Sequence, residues 1–267
     1  MGEMIARRAF DPLYIGLDIG FLVLLALLLI WKKKYACLLV GGLAGLLYMA
    51  VDYGLFHLVF HARSISEGYS LFWVLLWMSM SYGFTNFVWI WLWLSKDKRL
   101  LEWSLLILSW WFCCPLLANT FGGGGRIVIE RTTGSYHGYM ALLLFAGYLG
   151  LIFWNLKQKG RETRAPIPWL LSIGVLVQFG WEAGLLLGGV RSAGFASFAE
   201  KLGPLVVNSL LETNLGMPYV FCIFIAVSKS RTETLQRREA PLSFTGRIRE
   251  YNRERVKSTL PSAYLGE

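Results

Sequence analysis

The sequence predicts an all-α membrane protein, a seven transmembrane helix bundle with the N-terminus outside and the C-terminus cytosolic. Three observations predict this fold class. The 267 residues are 55% hydrophobic and 16% charged, with a mean hydropathy of +0.50, which is too apolar for a soluble domain. Seven apolar runs each approach the roughly 20 residues that an α-helix needs to cross a bilayer core. The Lys and Arg residues are concentrated in alternate connections between those runs.

The spans lie within residues 1–228, and residues 229–267 form a basic cytosolic tail. The first span follows Arg7 and Arg8, which resembles the basic start of a signal peptide. Because it is long, ends at the three lysines 32–34 and lacks a small-residue cleavage site, we predict an uncleaved helix. The predicted spans are residues 12–31, 35–61, 70–95, 100–118, 138–156, 167–187 and 204–228.

The orientation follows from the basic residues. Of the 26 Lys and Arg residues, 19 lie in the connections after spans 1, 3 and 5 or in the tail, and seven lie on the other side. The positive-inside rule places the richer side in the cytosol. The net charge of +9 is therefore a sign of membrane topology, and we expect membrane lipids as partners and no nucleic acid. The pattern does not distinguish the endoplasmic reticulum from a bacterial plasma membrane.

Two polar regions are predicted to add little to the fold. The longest outer loop, residues 119–137, contains four consecutive glycines and is typical of a flexible connection. The tail after Lys229 is polar and has few residues to bury, so we expect it outside the bundle and dispensable for folding.

Four acidic residues lie inside the spans, where an ionised carboxylate costs on the order of 3 kcal/mol or more. In the predicted orientation all four fall in the outer half at similar depth. Each also has a polar residue four positions earlier, on the same helix face. We therefore predict a shared cavity, with hydrogen bonding between helices as the alternative reason for these residues. The pairs are Tyr14/Asp18, Tyr48/Asp52, Gln178/Glu182 and Asn208/Glu212.

These acids suggest proton-transfer chemistry. The spans contain almost no Lys or Arg to neutralise them, so we expect some to be protonated, with the pKa raised by burial. A neutral carboxyl group among aromatic walls can protonate an epoxide or alkene, and a nearby carboxylate can remove the final proton. This chemistry is terpene cyclisation, and it implies no metal and no cofactor. The predicted catalytic residues are Asp52, Glu182 and Glu212, and the predicted substrate-binding residues are Asp18, Tyr48, Gln178, Asn208 and His57.

Two short motifs resemble those of the small seven-helix integral-membrane terpene cyclases of fungal meroterpenoid and indole-diterpene pathways. That family has an acid in span 2 in an Ala-Trp-Glu-like context, and MAVDYG places Asp52 there, with Val51 at the Trp position. It has a second acid in span 7 within Leu-Leu-Asp-x-x-x-Gly, and SLLETNLG places Glu212 there, with Gly216 at the matching glycine. The resemblance implies a metal-independent cyclase acting on an apolar isoprenoid.

Two other classes stay open at this point. His57 and His61 form HxxxH on one helix face, a spacing that binds metals, and His137 or Glu130 could complete a site. Such a site would suit a seven-span metal-dependent lipid hydrolase, although the histidine order of the alkaline ceramidase type does not fit. Buried acids also suit a proton- or cation-coupled transporter or a receptor.

Overall fold

The computed structural model describes residues 5–132, 137–191, 197–227 and 243–259, and helices dominate them. Six helical stretches in these residues are long and apolar enough to cross a membrane, as expected of a multi-pass membrane protein. They begin and end within a few residues of the first six predicted spans. The helices are α1 (Pro12–Trp31), α2 (Tyr35–Met49) with a π-helical continuation (Ala50–Val59), α3 (Leu71–Leu94), α4 (Leu100–Phe121), α5 (His137–Lys157), α6 (Ile167–Leu187), α7 (Phe198–Leu211), α8 (Met217–Val227) and α9 (Phe244–Thr259).

The seventh predicted span, residues 204–228, is not one continuous helix. α7 ends at Leu211, residues 212–216 form turns, and α8 begins at Met217. The Gly216 N–H donates to the Thr213 carbonyl at 3.1 Å and the Met217 N–H to the Asn214 carbonyl at 3.2 Å, which are the short-range bonds of a turn. α7 and α8 have 14 and 11 residues. Each is shorter than the roughly 20 residues of a full crossing.

A three-stranded antiparallel sheet departs from the all-α prediction. Its strands are β1 (Ile5–Phe10), β2 (Arg63–Ile65) and β3 (Ile127–Thr132), in the order β1-β3-β2. β3 lies in the loop that we expected to be only a flexible connection. The register places Arg7 opposite Glu130, and their side chains form an exposed ion pair at 3.5 Å. The sheet therefore joins the start of the chain to two connections between helices.

The four-glycine stretch has a structural role around Asp11. One carboxylate oxygen of Asp11 accepts a hydrogen bond from the Leu13 N–H at 2.8 Å and caps α1. The other accepts from the Gly124 N–H at 3.1 Å. A Cβ at Gly122 would lie 2.4 Å from this second oxygen, so only glycine allows the chain to approach so closely.

The chain folds as two compact units, which we describe separately. Unit 1 consists of Met1–Gly138 and Val175–Leu210. Its central element is α3, which has 16 of its 24 residues buried. α2 lies very close to it, since a Cβ on Gly83 would be 2.7 Å from the Gly45 Cα. Small residues at this crossing allow the two backbones to touch.

Unit 2 consists of Tyr139–Gly174 and Leu211–Glu267, and α9 is part of its core. The Tyr251 ring of α9 contacts the rings of Phe221 and Phe224, with centroids 5.7 and 5.8 Å apart. Its hydroxyl accepts a hydrogen bond from the Trp169 indole at 3.2 Å. Burial raises the pKa of Tyr251 to about 12. This helix therefore packs through an aromatic contact made by its middle residues.

The packing of α9 corrects the prediction for the tail. The Asn252 side-chain amide donates to the carbonyls of Glu162 and Arg164 at 3.0 and 2.8 Å, and so ties α9 to the connection before α6. Composition alone suggested a solvated segment, because the few apolar residues of this helix are spaced among charged ones. The rest of the predicted tail, residues 229–242 and 260–267, lies outside the described residues.

Candidate functional site

The predicted Gln178/Glu182 pair forms the centre of a buried polar network in unit 1. The Gln178 Nε2 donates to Oε1 of Glu182 at 3.2 Å, as their spacing of four residues on α6 predicts. The Tyr82 hydroxyl of α3 donates to Oε1 of Gln178 at 2.7 Å. The Arg191 Nη1 donates to Oε1 of Glu182 at 3.0 Å. Four side chains therefore form one continuous chain of hydrogen bonds.

Arg191 is the member of this network that the sequence analysis missed. Its position after span 6 predicts only a charged residue in an outer connection between helices. The Arg191 N–H donates to the Leu185 carbonyl at 3.1 Å, and its backbone forms an isolated bridge with Arg8 of β1. The turn at Gly189, with φ +70°, brings the chain back over the end of α6. The sequence contained a signal for this contact, because Arg191 follows Glu182 by only nine residues and the two adjacent glycines 188 and 189 favour a turn between them.

Asp52 has a similar arginine partner. It lies in the π-helical continuation of α2, and its carboxylate forms an ion pair with Arg63 of β2. The guanidinium group of Arg63 is nearly buried, with its side chain 6% exposed. The prediction that the membrane acids lack basic neighbours is therefore wrong for Asp52 and Glu182. The bases come from the connections after these helices, not from the spans.

π-helical backbone is uncommon and often lies at functional sites. In this continuation the Phe60 N–H donates to the carbonyl of Leu55, five residues earlier, at 3.0 Å. One turn before Asp52, the Tyr48 ring meets the Tyr82 ring edge-on, with centroids 4.7 Å apart. Tyr82 therefore contacts two of the predicted substrate-binding residues, Tyr48 and Gln178.

Asp18 differs from the other acids because aromatic side chains surround it. It is 2% exposed and accepts hydrogen bonds from the indoles of Trp77 and Trp110 at 2.9 and 3.2 Å. Tyr14, one turn earlier, packs edge-on against Trp77 with centroids 5.4 Å apart, and Phe21 stacks on Trp110 at 4.9 Å. Within the described residues no Lys or Arg forms an ion pair with Asp18. It is thus a carboxyl group held by neutral donors in an aromatic surrounding.

Asn208 and Glu212 lie on either side of the end of α7. Asn208 is buried in the last turn of α7 in unit 1, whereas Glu212 is buried in the turn after this helix, in unit 2. Their predicted pairing stays a prediction. The convergence of Asp52, Glu182 and Glu212 on one cavity stays a prediction.

The histidines give no support for a metal site. The His57 ring lies beside Tyr53, with centroids 5.2 Å apart, and His61 is exposed at the end of the π-helix with φ +50°. Glu130 is paired with Arg7. Across the described ranges, no three His, Cys, Asp or Glu residues are grouped so that they could hold a metal ion.

The arrangement offers two kinds of chemistry. Asp18 can donate a proton into an apolar, aromatic environment, whereas the arginine-paired carboxylates can stabilise positive charge or accept a proton.

Comparison with known proteins finds no match to the chain among protein-family models, curated proteins or solved structures.

Proposed function

We propose that the chain is an integral-membrane enzyme that acts on an isoprenoid-type or other apolar substrate by proton transfer from a carboxylic acid. The observation that carries the proposal is the Asp18 environment, a buried carboxyl bound by two indoles and flanked by aromatic rings. A buried carboxyl group among neutral donors can serve as a general acid, and aromatic faces stabilise a carbocation. Enzymes that begin with protonation of an alkene or epoxide need these two features.

The proposed reaction is an isomerisation that consumes no co-reactant. Asp18 gives its proton to an epoxide oxygen, the C–O bond breaks, and an alkene of the same molecule attacks the resulting cation. Loss of a proton from a carbon beside the new cation forms the final double bond. Asp52, which is paired with Arg63, is the proposed acceptor because its side chain keeps 19% exposure. The sequence alone suggests Asp52 or Glu212 as the donor and Asp18 as a substrate-binding residue, so this proposal gives the donor role to a different acid.

The proposed topology has seven crossings, with α7 and α8 together forming the last one. The N-terminus then lies outside and the C-terminus in the cytosol, as the 19-to-7 distribution of basic residues indicates. Reporter domains fused to the two ends should therefore report opposite sides of the membrane. Reporters on the same side would contradict the seven crossings.

The enzyme proposal is tested with purified protein in lipid nanodiscs and an epoxidised farnesyl phenol, with products identified by mass spectrometry. Asp18→Asn should reduce cyclised product at least about 100-fold, because general acid catalysis contributes about 10²–10⁴-fold. The two indoles donate to different oxygens of Asp18, so the asparagine Oδ1 can still accept only one of these hydrogen bonds. Thermal unfolding of the variant is therefore measured beside turnover. Glu130→Gln is the matched control and should keep full turnover. Unchanged turnover in Asp18→Asn would refute the assignment.

The motif residues are tested in the same assay. The resemblance to the membrane terpene cyclases predicts that Asp52→Asn and Glu212→Gln also lose turnover. Loss in Glu212→Gln with normal thermal stability would support the motif comparison. Normal turnover in both amide variants would remove the acceptor role and the motif-based prediction together.

A transporter is the second candidate, favoured by the break between α7 and α8. Discontinuous helices with buried polar turns are typical of ion and substrate sites in secondary transporters. Here Glu212 is buried in such a turn. Proton-coupled uptake into proteoliposomes, abolished by Glu212→Gln, would favour this class, whereas cyclised product without uptake would favour the enzyme.

A further inference from the structure

Four aromatic side chains of unit 1 form a continuous row of contacts, called the aromatic cluster below, that begins and ends on α3. Tyr82, Asn86 and Trp89 lie at positions i, i+4 and i+7 of α3 and so share one helix face. Trp181 of α6 packs against Tyr82, with centroids 5.6 Å apart, and Trp111 of α4 packs against Trp89 at 5.5 Å. Trp111 and Trp181 meet at 5.2 Å and join the two pairs. Asn86 lies on α3 between the two aromatic residues of its own helix.

The polar atoms of Asn86 and the aromatic cluster fall into two groups. The Tyr82 hydroxyl donates to Gln178, and the Trp89 indole donates to Ser104 at 2.8 Å. In contrast, both polar side-chain atoms of Asn86 and the indole nitrogens of Trp111 and Trp181 are buried and have no hydrogen-bond partner within the described chain. Asn86 is 0% exposed. Buried polar groups are rarely left unpaired, because each one costs about 1–3 kcal/mol.

The unpaired atoms define the chemistry that would satisfy them. Asn86 Nδ2 and the two indoles are donors, whereas Asn86 Oδ1 is the single acceptor. A cation would leave the donors unpaired. An anion would need a positive charge, and Arg191 of the adjacent network is already bound to Glu182. A neutral oxygen matches the donors without a charge: a ketone oxygen accepts from them, and a hydroxyl group can in addition donate to Asn86 Oδ1.

The surroundings specify the rest of the ligand. The aromatic cluster is built from indole and phenol rings, which favour an apolar ligand body. Gly180 of α6 lies against the cluster, since a Cβ there would be 3.4 Å from the Trp111 ring and 3.6 Å from the Trp89 ring. We propose that Asn86, Trp111 and Trp181 bind the neutral oxygen of an apolar ligand at this aromatic cluster. The proposed binding site shares no residue with the Asp18 site and does not depend on the proposed chemistry.

The test uses farnesylacetone, an isoprenoid ketone, and farnesane, a hydrocarbon without oxygen, with purified protein in nanodiscs. Tryptophan fluorescence and the thermal unfolding midpoint report binding. Farnesylacetone should raise the midpoint and change the fluorescence, whereas farnesane should do neither. Asn86→Leu should weaken ketone binding at least tenfold. Thr85→Val, which changes a neighbouring buried polar residue of α3, should leave binding unchanged.

Two further variants separate the possible outcomes. Trp181→Phe keeps an aromatic ring but removes one donor, so it should also weaken ketone binding and serves if Asn86→Leu does not fold. Asp18→Asn should bind the ketone normally, so loss of the proposed enzyme activity cannot be confused with loss of this site. The inference is wrong if farnesane binds as well as the ketone, or if neither binds. It is also wrong if Asn86→Leu raises the unfolding midpoint and leaves ketone binding intact.

Discussion

Arg191 donates a hydrogen bond to Glu182 across 3.0 Å, and both side chains are almost completely buried, at 8% and 1% exposure. A buried ion pair of this kind gains little over an apolar pair, but removal of one partner leaves an uncompensated charge. The pair therefore fixes how residues 188–191 return over the end of α6. Its effect on stability can be measured directly.

Arg191→Met should destabilise the protein by about 3–5 kcal/mol, because the Glu182 carboxylate remains buried without its cation. Thermal unfolding in nanodiscs measures the loss. Arg7→Met is the matched control, because the Arg7–Glu130 pair is 44% and 40% exposed and should contribute under about 1 kcal/mol. A double variant with Glu182→Met should recover part of the loss. Equal effects of the two arginine variants would show that burial does not matter here.

Gly83→Ala should destabilise unit 1 by about 1–3 kcal/mol, the usual cost of overpacking a close contact. The added Cβ would lie 2.7 Å from the Gly45 Cα and 2.8 Å from its nitrogen, and backbone atoms cannot move aside as a flexible side chain can. Gly42→Ala on α2 is the control, since nothing lies within 4 Å of its Cβ position. We expect the control to be neutral or slightly stabilising, because alanine favours the helix. A stable Gly83→Ala variant would disprove the close α2–α3 crossing.

Lowering the pH should weaken the connection between α3 and α4 through Asp97. Burial raises the pKa of the Asp97 carboxyl. The Lys34 ammonium and the hydrogen bond from the Arg99 N–H, at 2.9 Å, lower this pKa by more than burial raises it, so the pKa lies below its ordinary value. Such a group stabilises the fold above its unfolded pKa of about 3.9, and the contribution disappears as the pH falls through the folded pKa. Unfolding midpoints measured from pH 6 to pH 3 should therefore decline below about pH 4.

The control for this pH dependence is a comparison of two amide variants. Asp97→Asn should reduce the acid decline, because the titrating group is gone, whereas Glu67→Gln at an exposed position should keep it. An identical decline in Asp97→Asn and the wild type would assign the acid sensitivity to other groups.

Tyr251→Ala should destabilise unit 2 by about 3–5 kcal/mol, the usual cost of truncating a large buried aromatic side chain. The ring fills the contact with Phe221 and Phe224, and its hydroxyl accepts from Trp169. Arg253→Ala, an exposed position on the same helix, should change stability by less than about 0.5 kcal/mol. Truncation after Val227 should have a larger effect than Tyr251→Ala. A truncated protein of normal stability would restore the original expectation of a dispensable tail.

The sequence predicted the helices well where apolar runs end at charged residues. α1 and α6 have the predicted bounds, residues 12–31 and 167–187. The signal is strong because a span must be uniformly apolar over its whole length. The break at residues 212–216 was not predicted, because Gly216 and Pro218 favour a kink but local sequence does not say how far such a kink opens.

The sheet and the arginine partners could not be predicted in the same way. β1 pairs with β3 across more than a hundred residues, and no periodicity within a short window shows such pairing. Arg63 and Arg191 were read as loop charges, because their reach back to Asp52 and Glu182 depends on the turns that precede them. The acids of the candidate site were therefore found from the sequence, but their arginine partners were not.

The division of the chain into two interleaved units has a consequence for biosynthesis. Unit 1 needs residues 175–210, which the ribosome makes only after the first part of unit 2, and unit 2 is complete only when α9 has emerged. The Asp52–Arg63 pair can form early, whereas the Tyr82 hydroxyl must wait for Gln178. At translation speeds of about 5–20 residues per second this delay is on the order of ten seconds. During that time the insertion machinery must shield the polar face of α3 from lipid.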